Sequence, residues 1–245
     1  MEILVVIAII LVLAAIALPT ITTFTTRANK AKANQKLKDL AAAAQTYGID
    51  NNDELPLEDS KGTDSWQAAA DPENKQAWYN SLPILMQRRS VADYATSPRA
   101  YYTNENPLFL PGAKYPESDK KLTKPMFAIS INTKLQRKDS EGKKSRLKKP
   151  MIANPTRTVL FLEQGLPAEA DLKVAVQSKN DYDGSPKGSA KSFVGRYGGR
   201  GLLAFVDGHV EEFDPKDLLT ETGTFPFPPT DVVWCRTPEE DPNKK

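Results

Sequence analysis

Sixteen apolar residues in unbroken succession, Ile3 to Leu18, stand almost at the start of this chain, with Glu2 directly before them and Pro19 directly after. A buried core helix is possible, but sixteen unbroken apolar residues exceed what most soluble helices carry. A cleaved secretory signal needs a basic segment ahead of the run and small residues at its end. No Lys or Arg precedes the run, and Ala17-Leu18-Pro19 is a poor cleavage site. A membrane helix needs about 20 apolar residues, with a lower limit near 17. Met1 to Ile21 reaches that length if Glu2 and Thr20 are tolerated at the ends, so residues 1–21 are expected to span. Every Lys and Arg lies beyond this segment, from Arg27 onward, and charges just after a span usually mark the cytoplasmic side. Glu2 is the awkward residue. A helix N-terminus favours a carboxylate by roughly 0.3–1 kcal/mol, less than the about 2.5 kcal/mol or more that a charge costs inside lipid. Either Glu2 sits in the headgroup layer, or a cation pairs with it, such as the α-amino group of this chain or of a neighbour.

Pro19 is expected to kink the helix rather than end it, because helix formers resume soon after. Ala33, Leu37, Leu40, Ala44 and Tyr47 recur at steps of 4, 3, 4 and 3 and so share one helical face, while Lys30, Lys32, Lys36 and Lys38 point elsewhere. The pattern predicts one helix over about residues 2–47, roughly 70 Å long at 1.5 Å per residue, with Gly48 as its C-cap. The chain then divides into 1–21, the spanning half of the helix; 22–48, its amphipathic half; and 49–245, a globular α+β domain. Asp50, Asn51, Asn52, Asp53 and Glu54 make a polar turn without EF-hand spacing, so a solvated loop is expected. A structural calcium ion has no clear motif behind it, and no cofactor is expected.

The 33 Lys and Arg nearly balance the 31 Asp and Glu, which argues against a nucleic-acid partner. One cysteine, Cys235, excludes an intramolecular disulfide and a Cys-rich metal site, and reads as a small buried hydrophobe. One histidine, His209, excludes a mechanism built on a His cluster.

In the body, Trp66, Trp78, Tyr79, Leu82, Leu85 and Met86 suggest one or two short helices, and Phe127 to Ile131 a strand. Residues 134–149 (KLQRKDSEGKKSRLKK) read as an exposed basic loop. Thr158 to Leu162, after Asn154-Pro155, reads as a strand. Leu202 to Val206 and His209 to Phe213 flank Asp207-Gly208, the preferred pair for a two-residue type I′ hairpin turn. On that reading Asp207 and Gly208 supply positive φ and His209 opens the return strand, in preference to a catalytic or metal-binding trio. Gly195, Gly198, Gly199 and Gly201 crowd the approach, but a phosphate-binding loop wants a helix after it, and a strand follows here.

Together these pieces resemble a type IV pilin-like protein, more narrowly a type II secretion pseudopilin. Glu2 to Ile10 (EILVVIAII) is similar to the processed N-terminus of that family, and Pro19 stands where the family has its kinking proline. Ala41 to Pro56 resembles the helix end and turn of a subfamily with a prepilin-type His-x9-Asp-Gly domain. Asn154-Pro155, Thr158 to Phe161, Arg196 to Gly199 and Phe205 to Val210 match that domain's C-terminal pattern, while residues 58–150 are covered only loosely. Tyr197 occupies the motif's histidine position, which reads as structural because Tyr also packs and hydrogen-bonds.

The resemblance implies a long N-terminal helix packed on a C-terminal antiparallel β-sheet domain. It implies a non-enzymatic subunit that assembles into a type IV pilus-like filament, or a type II secretion filament serving protein secretion. Glu2 and Pro19 are then the assembly residues, and Tyr197, Asp207, Gly208 and His209 structural ones. In the family's filaments the carboxylate equivalent to Glu2 is thought to neutralise the terminal amine of the adjacent subunit. The implied partners are identical or related subunits, the inner-membrane assembly machinery, the lipid bilayer and a prepilin peptidase. That peptidase removes a basic leader, after which the mature N-terminus is methylated; Met1 stands three residues inside that mature end. The implied location is a single pass in the bacterial inner membrane, with the basic leader supplying the cytoplasmic charge in place of the Lys and Arg after the span, and the domain in the periplasm or outside the cell. The alternative is a signal-anchored extracytoplasmic binding module or enzyme that forms no filament.

Overall fold

A computed structural model describes residues 2–59, 62–138, 144–169, 171–174, 182–219, 232–237 and 240. Within these, the side chains of residues 2, 4, 5, 8, 14–20, 137, 138, 144 and 145 lie outside the described set. Helix α1 (Glu2–Asp50) is continuous through Pro19 and ends three residues beyond the expected boundary. Gly48 is not its cap. The chain leaves the helix through Asn52 (φ 55°) and Asp53 (φ 62°), two residue types that tolerate the left-handed region, and the Asp53 N–H closes onto the Gly48 carbonyl at 2.8 Å.

The expected apolar face is the buried one: Ala33, Leu37, Leu40, Ala44 and Tyr47 all lie in the core, joined by Ala41 and Ala43. Two of the lysines expected to point elsewhere are engaged. Lys30 Nζ lies 3.1 Å from the Glu212 carboxylate, and Lys36 Nζ donates to the carbonyls of Asn104 (3.0 Å) and Asn106 (2.6 Å). Burial, reinforced by the nearby Arg88 charge, lowers the Lys36 pKa to about 8. The first half of α1 carries Ile3, Val6, Ile7, Ile9 to Leu13, Ile21 and Phe24 exposed. Among the described residues, no helix is long and apolar enough to cross a membrane. The span expected over 1–21 lies partly outside that set, because Met1 and the side chains of residues 2, 4, 5, 8 and 14–20 are not among the described ones.

After α1 come the short helices α2 (Trp66–Ala69), α3 (Trp78–Leu85) and α4 (Pro98–Tyr101). Strands β1 (Ile129–Asn132), β2 (Arg137–Lys138), β3 (Lys144–Ser145), β4 (Val159–Glu163), β5 (Lys173–Val174), β6 (Lys187–Gly188), β7 (Val194–Gly195), β8 (Gly201–Phe205) and β9 (Val210–Phe213) follow, with α5 (Pro215–Leu218) after them. The principal sheet has the order β6-β1-β4-β8-β9. Its last four strands pair antiparallel, but β6 joins β1 in parallel. The sheet is therefore mixed, not the antiparallel one expected. The chain returns to the β1 edge from a long excursion rather than a hairpin, so its direction there is not tied to that of its neighbour.

β4 and β8 are buried along their whole length, which is why both read as continuous apolar runs rather than alternating ones. On one face Leu202 and Ala204 join the core beneath α1, together with Trp78 and Phe127. On the other, Leu203 and Phe205 pack with Phe193, Leu218 and Trp234 in a second cluster. A register shift between Val159 and Phe161 puts Leu160 and Phe161 into the same cluster, as a β-bulge does. The tract 134–149 is not simply an exposed loop. Leu135 and Leu147 are buried, Arg146 pairs with Glu54 at 2.8 Å, and Lys149 bonds Gln45 of α1. Residues 139–143 of the tract lie outside the described set.

Because α1 docks through a stripe of small and medium side chains, truncation at its centre leaves a cavity that the sheet cannot fill. Leu40→Ala is expected to lower unfolding free energy by about 2–5 kcal/mol, measured by denaturant titration. Ile49→Ala, on the exposed side of the same helix, should change it by no more than about 0.5 kcal/mol.

Candidate functional site

The two hairpins leading into and out of β8 carry the residues singled out by sequence, and the two-residue turn lies at the first of them, not at Asp207-Gly208 where it is expected. Asp207-Gly208 does not form a two-residue type I′ turn. The last pair is Phe205–His209, whose Phe205 N–H donates to the His209 carbonyl at 2.9 Å, leaving a three-residue loop closed by Gly208 N–H to Phe205 O at 3.0 Å. Gly208 alone in this loop has positive φ (102°), as a three-residue hairpin requires of one glycine. The two-residue turn lies at Tyr197–Arg200. There Gly198 (φ 68°) and Gly199 (φ 85°) both take the left-handed sign that type I′ demands, and Tyr197 N–H reaches Arg200 O at 2.9 Å.

Asp207 and His209 still meet. His209 Nδ1 lies 2.7 Å from Asp207 Oδ1, and its ring stacks on Phe205 with centroids 4.3 Å apart. The pair is part-exposed at the tip of the hairpin, where the Val206 carbonyl accepts a bond from Gln45 of α1. Its geometry is that of a surface contact holding the loop. Among the described residues, no group of three or more His, Cys, Asp or Glu side chains is placed to hold a metal ion.

The strongest electrostatics lie beneath the other turn, around a residue that the sequence analysis treated only as part of a motif. Arg196 is buried. Its Nε and Nη2 donate to the two oxygens of Glu169 at 3.2 and 2.7 Å, and Nη2 also donates to the Gln164 carbonyl at 2.8 Å. This two-pronged geometry gives the strong form of an Arg–carboxylate bond. Burial works against the Arg196 charge, but Glu169 and Glu163 outweigh it and hold the guanidinium firmly protonated. Glu163, at the end of β4, lies 3.8 Å from Arg196 Nη1 and accepts the Leu202 N–H at 3.3 Å. Its other oxygen has no hydrogen-bond partner among the described residues. Burial pushes the Glu163 pKa up to about 7, against the downward pull of Arg196. Sequence reasoning missed Glu163 and Glu169. The available signal was a carboxylate closing the apolar run Val159 to Leu162, since a charge at the end of a buried strand calls for a partner.

Tyr197 extends the cluster. It is buried, its hydroxyl donates to the Pro111 carbonyl at 3.0 Å, and burial raises its pKa far out of the physiological range. It therefore packs and hydrogen-bonds as a neutral group. Glu2 and Pro19 belong to the helix backbone of α1, but their side chains lie outside the described residues, and they are remote in sequence from both hairpins. Cys235 is buried. No protein-family model matches this chain, and neither the curated proteins nor the solved structures yield a match.

Between pH about 4.5 and about 7 the folded protein keeps on Glu163 a proton that the unfolded chain has released. Stability therefore falls as pH rises through that window and levels off above it, by roughly 3 kcal/mol. Glu163→Gln keeps an acceptor for Leu202 and should flatten the decline, read as Tm against pH. Tyr197→Phe leaves the Pro111 carbonyl without its donor and should cost about 1 kcal/mol, measured by denaturant titration.

Proposed function

We propose that this chain is a pilin-like structural subunit, not an enzyme, that assembles through α1 into a type IV pilus-like or type II secretion filament. The observation carrying the reading is one continuous helix with two environments. One face of its second half is buried against the sheet, while Ile9, Ile10, Leu11, Val12 and Leu13 in its first half are each more than half exposed. An apolar surface of that kind calls for a cover. Lipid covers it in the stored subunit, and the helices of neighbouring copies cover it in the filament. A helix projecting from a folded body makes a head-to-tail contact, and such contacts propagate as open helical polymers. Glu2, at the projecting end, is neutralised by the terminal amine of an adjacent subunit, which offsets its cost in a dry core. Placement in a bacterial inner membrane with the domain outside, processing by a prepilin peptidase and handling by inner-membrane assembly machinery belong to the same proposal. Its experimental handle is Glu2→Ala in cells that produce the protein. The variant should fractionate with membranes as the parent does, while sheared filaments seen by electron microscopy fall by about tenfold or more, the loss that follows from one unpaired buried charge. Undiminished filaments, or a parent protein that stays out of the membrane fraction, would refute the proposal.

A further inference from the structure

Beside the Arg196–Glu169 pair the surface opens into a cleft of about 910 Å³, a size at which small-molecule sites are found. Its lining comes from the end of α4, the loop 109–118 and the turn 166–168, and the buried pair sets the spacing of these walls. Glu169, held by Arg196, accepts the Lys114 N–H at 3.0 Å from one wall and the Leu166 N–H at 2.9 Å from the other. Tyr197 anchors Pro111 at the base of the first wall. A cleft held open in this way does not have to order its walls when a ligand arrives.

The aromatic lining offers ring surface rather than hydroxyls. Tyr102 Oη accepts the Met126 N–H at 3.1 Å and donates to the Lys124 carbonyl at 3.3 Å, and Tyr115 Oη accepts the Leu110 N–H at 2.9 Å. Phe109 stacks on Tyr115 with centroids 4.9 Å apart, and Tyr102 lies 5.1 Å from Tyr115. All three rings are half-buried.

Around them the charges cancel. Arg99 pairs with Asp119 and Lys114 with Asp171, both on the surface, and the remaining rim charges are Lys121 and Glu117. Such a rim selects neither a polyanion nor a polycation. Among the described residues the side chains of Glu117, Ser118 and Lys121 have no hydrogen-bond or ion-pair partner, so the cleft offers an acceptor, a hydroxyl and a donor side by side. No strand lines it, so it has no backbone edge with which to pair an extended peptide. A ligand made of rings with apolar faces and hydroxyls that both donate and accept fits every one of these features.

We infer that this cleft binds a neutral oligosaccharide, with sugar faces on Tyr102, Phe109 and Tyr115 and sugar hydroxyls on Glu117, Ser118 and Lys121. The inference does not depend on filament assembly, and its test needs none. The full chain, kept in a zwitterionic detergent free of sugar headgroups, is titrated calorimetrically with cellohexaose, chitohexaose and maltohexaose, and with decaproline as a peptide probe. At least one hexasaccharide should bind saturably and decaproline should not. Phe109→Ala should weaken that binding about tenfold or more. Glu117→Gln, an exposed substitution that leaves the fold intact, should weaken it by about threefold or more with Tm unchanged. The inference is overturned if no hexasaccharide binds at millimolar concentration, if decaproline binds in their place, or if Glu117→Gln and Lys121→Gln leave the affinity unaltered.

Discussion

The docking of one face of α1 on the sheet is the contact on which the rest of the molecule depends. Ala33, Leu37, Leu40, Ala41 and Ala44 are fully or almost fully buried in it, and the small residues among them let the helix lie close to β8. The same helix continues as an apolar rod away from the body. The helix runs on through Pro19, where proline leaves out one backbone hydrogen bond, so the two halves form one helix and the orientation of the first follows from how the second is seated. The pins at Lys30, Lys36 and Gln45 fix that seat at three points along α1. They tie it to β9, to the loop 104–106 and to the tip of the β8–β9 hairpin.

The Arg196–Glu169 pair plays a comparable part beyond the end of β4. Burying two charges is costly unless their remaining donors and acceptors are met, and here the backbone meets all but one: Arg196 Nη1 has no hydrogen-bond partner among the described residues and lies 3.8 Å from Glu163. Glu169 accepts the N–H groups of Lys114 and Leu166, and Arg196 Nη2 donates a hydrogen bond to the Gln164 carbonyl. The ion pair therefore acts less as a source of net stability than as a clasp joining three segments distant in sequence. Glu163 is less well satisfied, and its raised pKa follows directly from that shortfall. Tyr197 stands beside the clasp and holds the Lys114 loop a second time through Pro111, a task that needs a neutral donor and no proton transfer.

Much of the fold was legible in the residues. The apolar step pattern from Ala33 to Tyr47 located the buried face of α1, and continuous apolar runs located β4 and β8, because both strands are buried along their whole length. The turns were less legible. Asp-Gly and Gly-Gly both suit a two-residue hairpin, and only the pairing of Phe205 with His209 shows that Asp207 sits in a longer loop. The basic tract 134–149 looked solvated because its charges outnumber Leu135 and Leu147, yet those two leucines pin its ends to the core. Of the candidate site, Tyr197, Asp207 and His209 could be named in advance, but not Glu163 or Glu169. A carboxylate in a single sequence carries no mark of whether it will meet solvent or a buried guanidinium.

By itself, the sequence determined that the chain begins with an apolar helix, that this helix acquires one buried face near Ala33, and that a strand-rich body follows. Those conclusions rest on periodicity and composition, which act locally along the chain. Only the tertiary structure decided that the sheet is mixed, which turn takes which form, and that Arg196 draws Glu163 and Glu169 together beside an aromatic cleft. Each of these depends on which distant segments become neighbours, and so on the burial and pairing of groups whose partners lie tens of residues away.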